Sequence, residues 1–141
     1  MSGRTLETLL RLRRLAVDTA MRDLAVAVRE SVTAERHLAT LNAAFAEEAG
    51  PAGRLAREAP ALAPSAAWHA RARREVAKAE ARAGTAGKQV AAQQQVLGDA
   101  RAAARSVEAG IDRRSAARRA AALGRAQHEL EDIARAGSRR A

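Results

Sequence analysis

Cysteine and tyrosine do not occur in this 141-residue chain, and Trp68 and Phe45 are its only large aromatic side chains. Without cysteine there is no disulfide framework and no thiolate metal site, which suits a reducing compartment. Nowhere do eighteen uncharged apolar residues run together, so no transmembrane helix is expected. The early leucines are interrupted by Arg4, Glu7, Arg11, Arg13 and Arg14, which argues against a secretory signal. Glu7 and Asp18 argue against a transit peptide, and the chain reads as cytoplasmic. The alternating β-branched pattern of a strand is missing as well.

Catalytic equipment is equally sparse. His37, His69 and His128 are the only imidazoles, and none stands at a ligand spacing from another. The segment Gly84–Lys88, GTAGK, imitates a phosphate loop but has Arg82 where the first glycine belongs. Gln89 also replaces the serine or threonine, and no strand precedes it. No serine has a plausible His–Asp partner, and a thin helical structure offers no pocket that excludes water. The chain is therefore expected to be no enzyme and to need no cofactor or metal.

What remains is alanine, leucine and arginine. The 40 Ala, 13 Leu and 23 Arg are all strong helix formers. Alanine buries little area per residue, so stability must come from a seam between helices rather than a compact interior. That seam is visible as heptads. Leu10, Val17, Leu24, Ser31, Leu38 and Phe45 lie seven apart, flanked by Leu6, Ala20, Ala27, Ala34 and Leu41. Val76, Ala83, Val90, Leu97, Ala104 and Ile111 form a second ladder of sevens. A seven-residue repeat keeps one stripe of a helix against a neighbour as the two wrap.

These ladders predict an all-α fold: a long antiparallel two-helix coiled-coil hairpin, one domain over 1–141. Helix 1 is expected over about 5–49 and helix 2 over about 66–136. The connection is expected at 50–65, where Pro51, Pro60 and Pro64 fall, with one short helical turn near 54–59. Ser65 is the expected N-cap of helix 2. Folding back around residue 57 pairs Leu38 with Val76, Leu24 with Val90, Val17 with Leu97 and Leu10 with Ala104. Phe45 then meets His69, beside Trp68, and the two large rings close the seam at the loop end. Met21 and Val28 widen the apolar stripe, either covering the flank of the neighbouring helix or meeting a partner. Gly84 and Gly87 leave open a break that would divide helix 2. Leu123, Leu130 and Ile133 do not continue the ladder. Pairing around residue 57 uses up helix 1 at about residue 110, so roughly 25 residues of helix 2 overshoot, about 37 Å.

Charge is concentrated at both ends of the chain. Residues 1–15 carry Arg4, Arg11, Arg13 and Arg14 against Glu7 alone. Residues 101–141 carry ten arginines against five acids, including the cluster Arg113, Arg114, Arg118 and Arg119. An antiparallel hairpin brings these groups to one basic tip, and like charges so close favour an acidic partner. An acidic protein, nucleic acid or anionic lipid would each supply one.

The segment Leu6–Leu41 (LETLLRLRRLAVDTAMRDLAVAVRESVTAERHLATL) resembles the start of the flagellar export protein FliJ family and of the related YscO-type injectisome stalk proteins. The arginine-rich stretch Ile111–Ala134 (IDRRSAARRAAALGRAQHELEDIA) is similar in layout to that family's second helix. Val17–Asp18 stands where the family often has an acidic pair. The resemblance implies a central stalk inserted by its terminal tip into the hexameric export ATPase. It also implies links to the membrane export gate and to export chaperones, at the cytoplasmic face of the inner membrane. Two other readings compete: a basic coiled coil associated with nucleic acid, and a membrane-surface scaffold. The first lacks stacking aromatics and any groove-reading motif, and the second lacks Trp and Phe on its leading helix.

Overall fold

The computed structural model describes residues 2–60 and 66–140, without the side chains of 49, 51–53 and 55–57. Its architecture is all-helical, in two elements: α1, Gly3–Glu58, and α2, Ala66–Arg140. Ser2 starts α1. Its hydroxyl accepts the Thr5 N–H at 3.2 Å, and its carbonyl accepts the Leu6 N–H at 3.2 Å. The hydroxyl thereby satisfies a donor that the first turn leaves unpaired, and the carbonyl accepts the first bond of the helical ladder.

The expected end of helix 1 near residue 49 is corrected by the structure. α1 runs through Gly50 and Pro51 to Glu58, absorbing the turn foreseen at 54–59 and shortening the connection. A proline inside a helix removes one hydrogen bond and costs about 3 kcal/mol, but it leaves the following residues free to stay helical. Ala52, Arg54, Leu55, Ala56, Arg57 and Glu58 are all strong helix formers, so the helix resumes past the proline. Ser65, the foreseen cap of α2, lies outside the described residues. α2 begins at Ala66 as expected and passes unbroken through Gly84 and Gly87 to Arg140, slightly beyond the expected end. Both glycines keep negative φ.

The chain divides into two compact units: Met1–Val17 with Asp99–Ala141, and Asp18–Gly98. The Asp18–Gly98 unit has its most buried positions at Ala20, Ala27, Ser31, Ala79 and Leu97. Around them Leu24, Leu38 and Phe45 on α1, and Val76, Ala83 and Val90 on α2, are partly buried. Phe45 and Trp68 meet edge to face, with ring centroids 6.1 Å apart and planes at 85°. Edge-to-face contact suits the ring quadrupoles and adds to the area that two large rings bury. In this unit Met21 and Val28 remain 48% and 41% exposed, so the neighbouring helix does not cover them.

In the other unit Ala104 is buried, and Leu10, Val17 and Ile111 are partly buried. No described side chain in either unit is more than 98% buried, as a narrow, alanine-rich seam between two helices leads one to expect.

Candidate interaction surface

The Met1–Val17 and Asp99–Ala141 unit holds 14 arginines and seven acidic residues. It therefore carries +7 of the chain's +9, and the larger Asp18–Gly98 unit carries +2. Its α1 and α2 segments meet through side chains of both. Arg14 Nη2 donates to Glu108 Oε1 across 3.1 Å. The Arg118 guanidinium lies against Gly3, where an added Cβ would stand 3.5 Å from Nη2. Glycine at position 3 thus leaves room for Arg118 beside the start of α1.

Between them is a shallow cavity of about 230 Å³, lined by Leu6 and Glu7 on α1 and by Ile111, Arg114, Ser115 and Arg118 on α2. Arg4, Arg11, Arg13 and Arg14 are exposed, as are Arg113, Arg118 and Arg119, while Arg114 is partly buried. Seven of the eight arginines singled out in the sequence therefore face solvent, and both sequence groups belong to one compact unit. Exposed guanidiniums can meet carboxylates or phosphates in pairs of parallel hydrogen bonds.

Every seam residue read from the sequence is shielded. Leu10, Val17, Leu24, Leu38, Phe45, Val76, Val90 and Ile111 are partly buried, and Leu97 is 7% exposed. A further ladder on α2 escapes a reading by hydrophobicity: Ala79 is buried, and Ala86, Gln93, Ala100, Val107 and Arg114 are partly buried. Alanine, glutamine and arginine carry no apolar signal strong enough to mark a seam. Their positions, three residues after each member of the visible ladder, were the available clue.

The Asp18–Gly98 unit has one further feature of note. A groove of about 450 Å³ runs beside the Phe45–Trp68 pair, with Arg73, Val76 and Glu80 along it. Trp68 also meets His69 edge to face at 4.9 Å.

Among the described residues, no group of three His, Cys, Asp or Glu side chains could hold a metal ion. None of the helices so described is long and apolar enough to cross a membrane. Comparison with known protein families, with characterised proteins and with solved structures yields no match.

Proposed function

We propose that this protein is a non-enzymatic central-stalk and chaperone-escort component of a flagellar type III protein export apparatus. It presents its arginine-rich unit to the hexameric export ATPase and couples that ring to the export gate at the cytoplasmic face of the inner membrane. The observation carrying this reading is the meeting of two arginine groups from opposite ends of the sequence. Arg14 bonds Glu108 and Arg118 lies on Gly3 within one compact unit of net charge +7. The family resemblance of Leu6–Leu41 supplies the identity of the partner.

The architecture that serves this role is an antiparallel coiled-coil hairpin. Its support is the order of contacts: as α1 advances from Gly3 to Arg14, the α2 partner retreats from Arg118 to Glu108. In the Asp18–Gly98 unit, Phe45 near the end of α1 meets Trp68 near the start of α2. Antiparallel coiled coils set the first apolar position of one heptad against the fourth of its neighbour. With the alanine-rich α2 ladder included, Leu24 then faces Gln93 and Leu10 faces Val107. Leu97 faces Ala20, and there a large side chain meets a small one and the backbones can approach. This register lies three residues from the one that pairs Leu24 with Val90.

Removal of residues 112–141 tests the role. The truncated chain should remain helical by circular dichroism and lose its stimulation of the purified export ATPase. Stimulation equal to that of the full chain contradicts the proposal.

A further inference from the structure

Beyond Arg118, whose guanidinium lies against Gly3, no described residue of α1 is seen against α2. Residues 116–140 are exposed, Gly124 alone being partly shielded. Leu123, Leu130 and Ile133 are 71%, 68% and 68% exposed, whereas Leu12, the next large apolar side chain, is 57% exposed. These three residues are not scattered. Ala116, Leu123 and Leu130 recur every seven residues, with Arg119, Ala126 and Ile133 three residues after each. The pattern is that of the seam but out of phase with it, since seven-residue steps from Ile111 lead to Arg118 and Arg125. The twelve residues from Ile111 to Leu123 turn the stripe by roughly 120° about the helix axis. It is a second seam, aimed away from α1.

We propose that this stripe is a self-association surface, and that its occupant is the same segment of a second copy, running antiparallel about a two-fold axis. The stripe contains its own complement. In the antiparallel register centred between Gly124 and Arg125, Leu123 meets Ala126 of the second copy and Ile133 meets Ala116. Leu130 meets the aliphatic stem of Arg119. Large faces alanine in the Leu123 and Ile133 layers, and the two-fold makes every contact twice.

Charge selects this arrangement. Here the Arg119 guanidinium lies beside Glu129 of the second copy, a pairing of opposite charges that also occurs twice. A parallel in-register pairing stacks Arg119 on Arg119 and leaves both Glu129 side chains away from it, on opposite edges of the interface. The antiparallel register shifted by one heptad brings Glu129 against Glu129. Like charges in such positions are destabilising. The paired stretch, residues 116–133, is only about 27 Å long. It falls short of the ~1,200 Å² that stable interfaces bury, so the dimer is weak and concentration-dependent.

The chain has no cysteine, so introduced thiols report contacts cleanly. Ile133→Cys and Ala116→Cys chains should give a mixed disulfide when combined and oxidised, and little dimer when oxidised separately. In sedimentation, average mass should rise above 14.9 kDa between about 5 and about 500 µM. Arg119→Glu and Glu129→Arg should each reduce this association several-fold, and the double variant should restore it. The two side chains lie ten residues apart on one helix, about 15 Å, so the rescue cannot arise within a chain. A mass that stays monomeric, preferential self-coupling of Ile133→Cys, or no recovery in the double variant would each overturn the proposal.

Discussion

Arg14 and Glu108 stand 94 positions apart in the sequence and 3.1 Å apart in space. Their side chains are 64% and 42% exposed, so water weakens the attraction and the long arginine gives up rotamer freedom to make it. The pair marks register more than it stabilises. A double-mutant cycle with Arg14→Ala and Glu108→Ala should return a coupling of about 0.3–1 kcal/mol, falling as salt is raised. A coupling of several kcal/mol would contradict an exposed pair.

Stability resides in the seam. Leu97 is the largest side chain among the buried apolar residues, at 7% exposure. Leu97→Ala should destabilise the protein by about 2–3 kcal/mol in chemical denaturation, from lost transfer energy and a partly unfilled cavity. Ala27, at 3% exposure, has no room to grow, and Ala27→Leu should cost about 1–3 kcal/mol through overpacking. Neutral results at both positions would place the core elsewhere.

Glycines inside α2 act in the opposite sense. An added Cβ at Gly84 or Gly87 would meet nothing within 4 Å, and both residues already have negative φ. Gly84→Ala and Gly87→Ala should therefore each stabilise the protein, by about 0.5–1 kcal/mol. Loss of stability would indicate that a close neighbour needs the space.

How much of this could be read beforehand differs from residue to residue. The α1 seam was legible because Leu10, Val17, Leu24 and Leu38 contrast sharply with arginine and glutamate on the other faces. Phe45 and Trp68 were legible as a pair because the heptad register brings them together near the connection. Half of the α2 seam was not, since Ala79, Ala86 and Gln93 look like any solvated helix surface in a chain with 40 alanines. The end of α1 was hidden by Pro51, whose local bias against helix is outweighed by the helix formers after it. The arginine cluster was legible as charge, yet only the folded chain sets Arg118 against Gly3.

Register is open to direct test in the Asp18–Gly98 unit. Leu24→Cys with Gln93→Cys should form an intramolecular disulfide more readily than Leu24→Cys with Val90→Cys, because disulfides need Cα atoms about 5.5 Å apart. Faster closure with position 90 would return the pairing to the register three residues away.

Partner binding by the arginine-rich unit is the claim on which the functional account stands. The decisive measurement is affinity for the purified hexameric export ATPase of the native chain and of a variant with Arg113, Arg114, Arg118 and Arg119 changed to glutamate. The account predicts clear weakening at low salt and a smaller difference near ~1 M salt, where exposed charges are screened within about 3 Å. Equal affinity of the two chains at every salt concentration would contradict it.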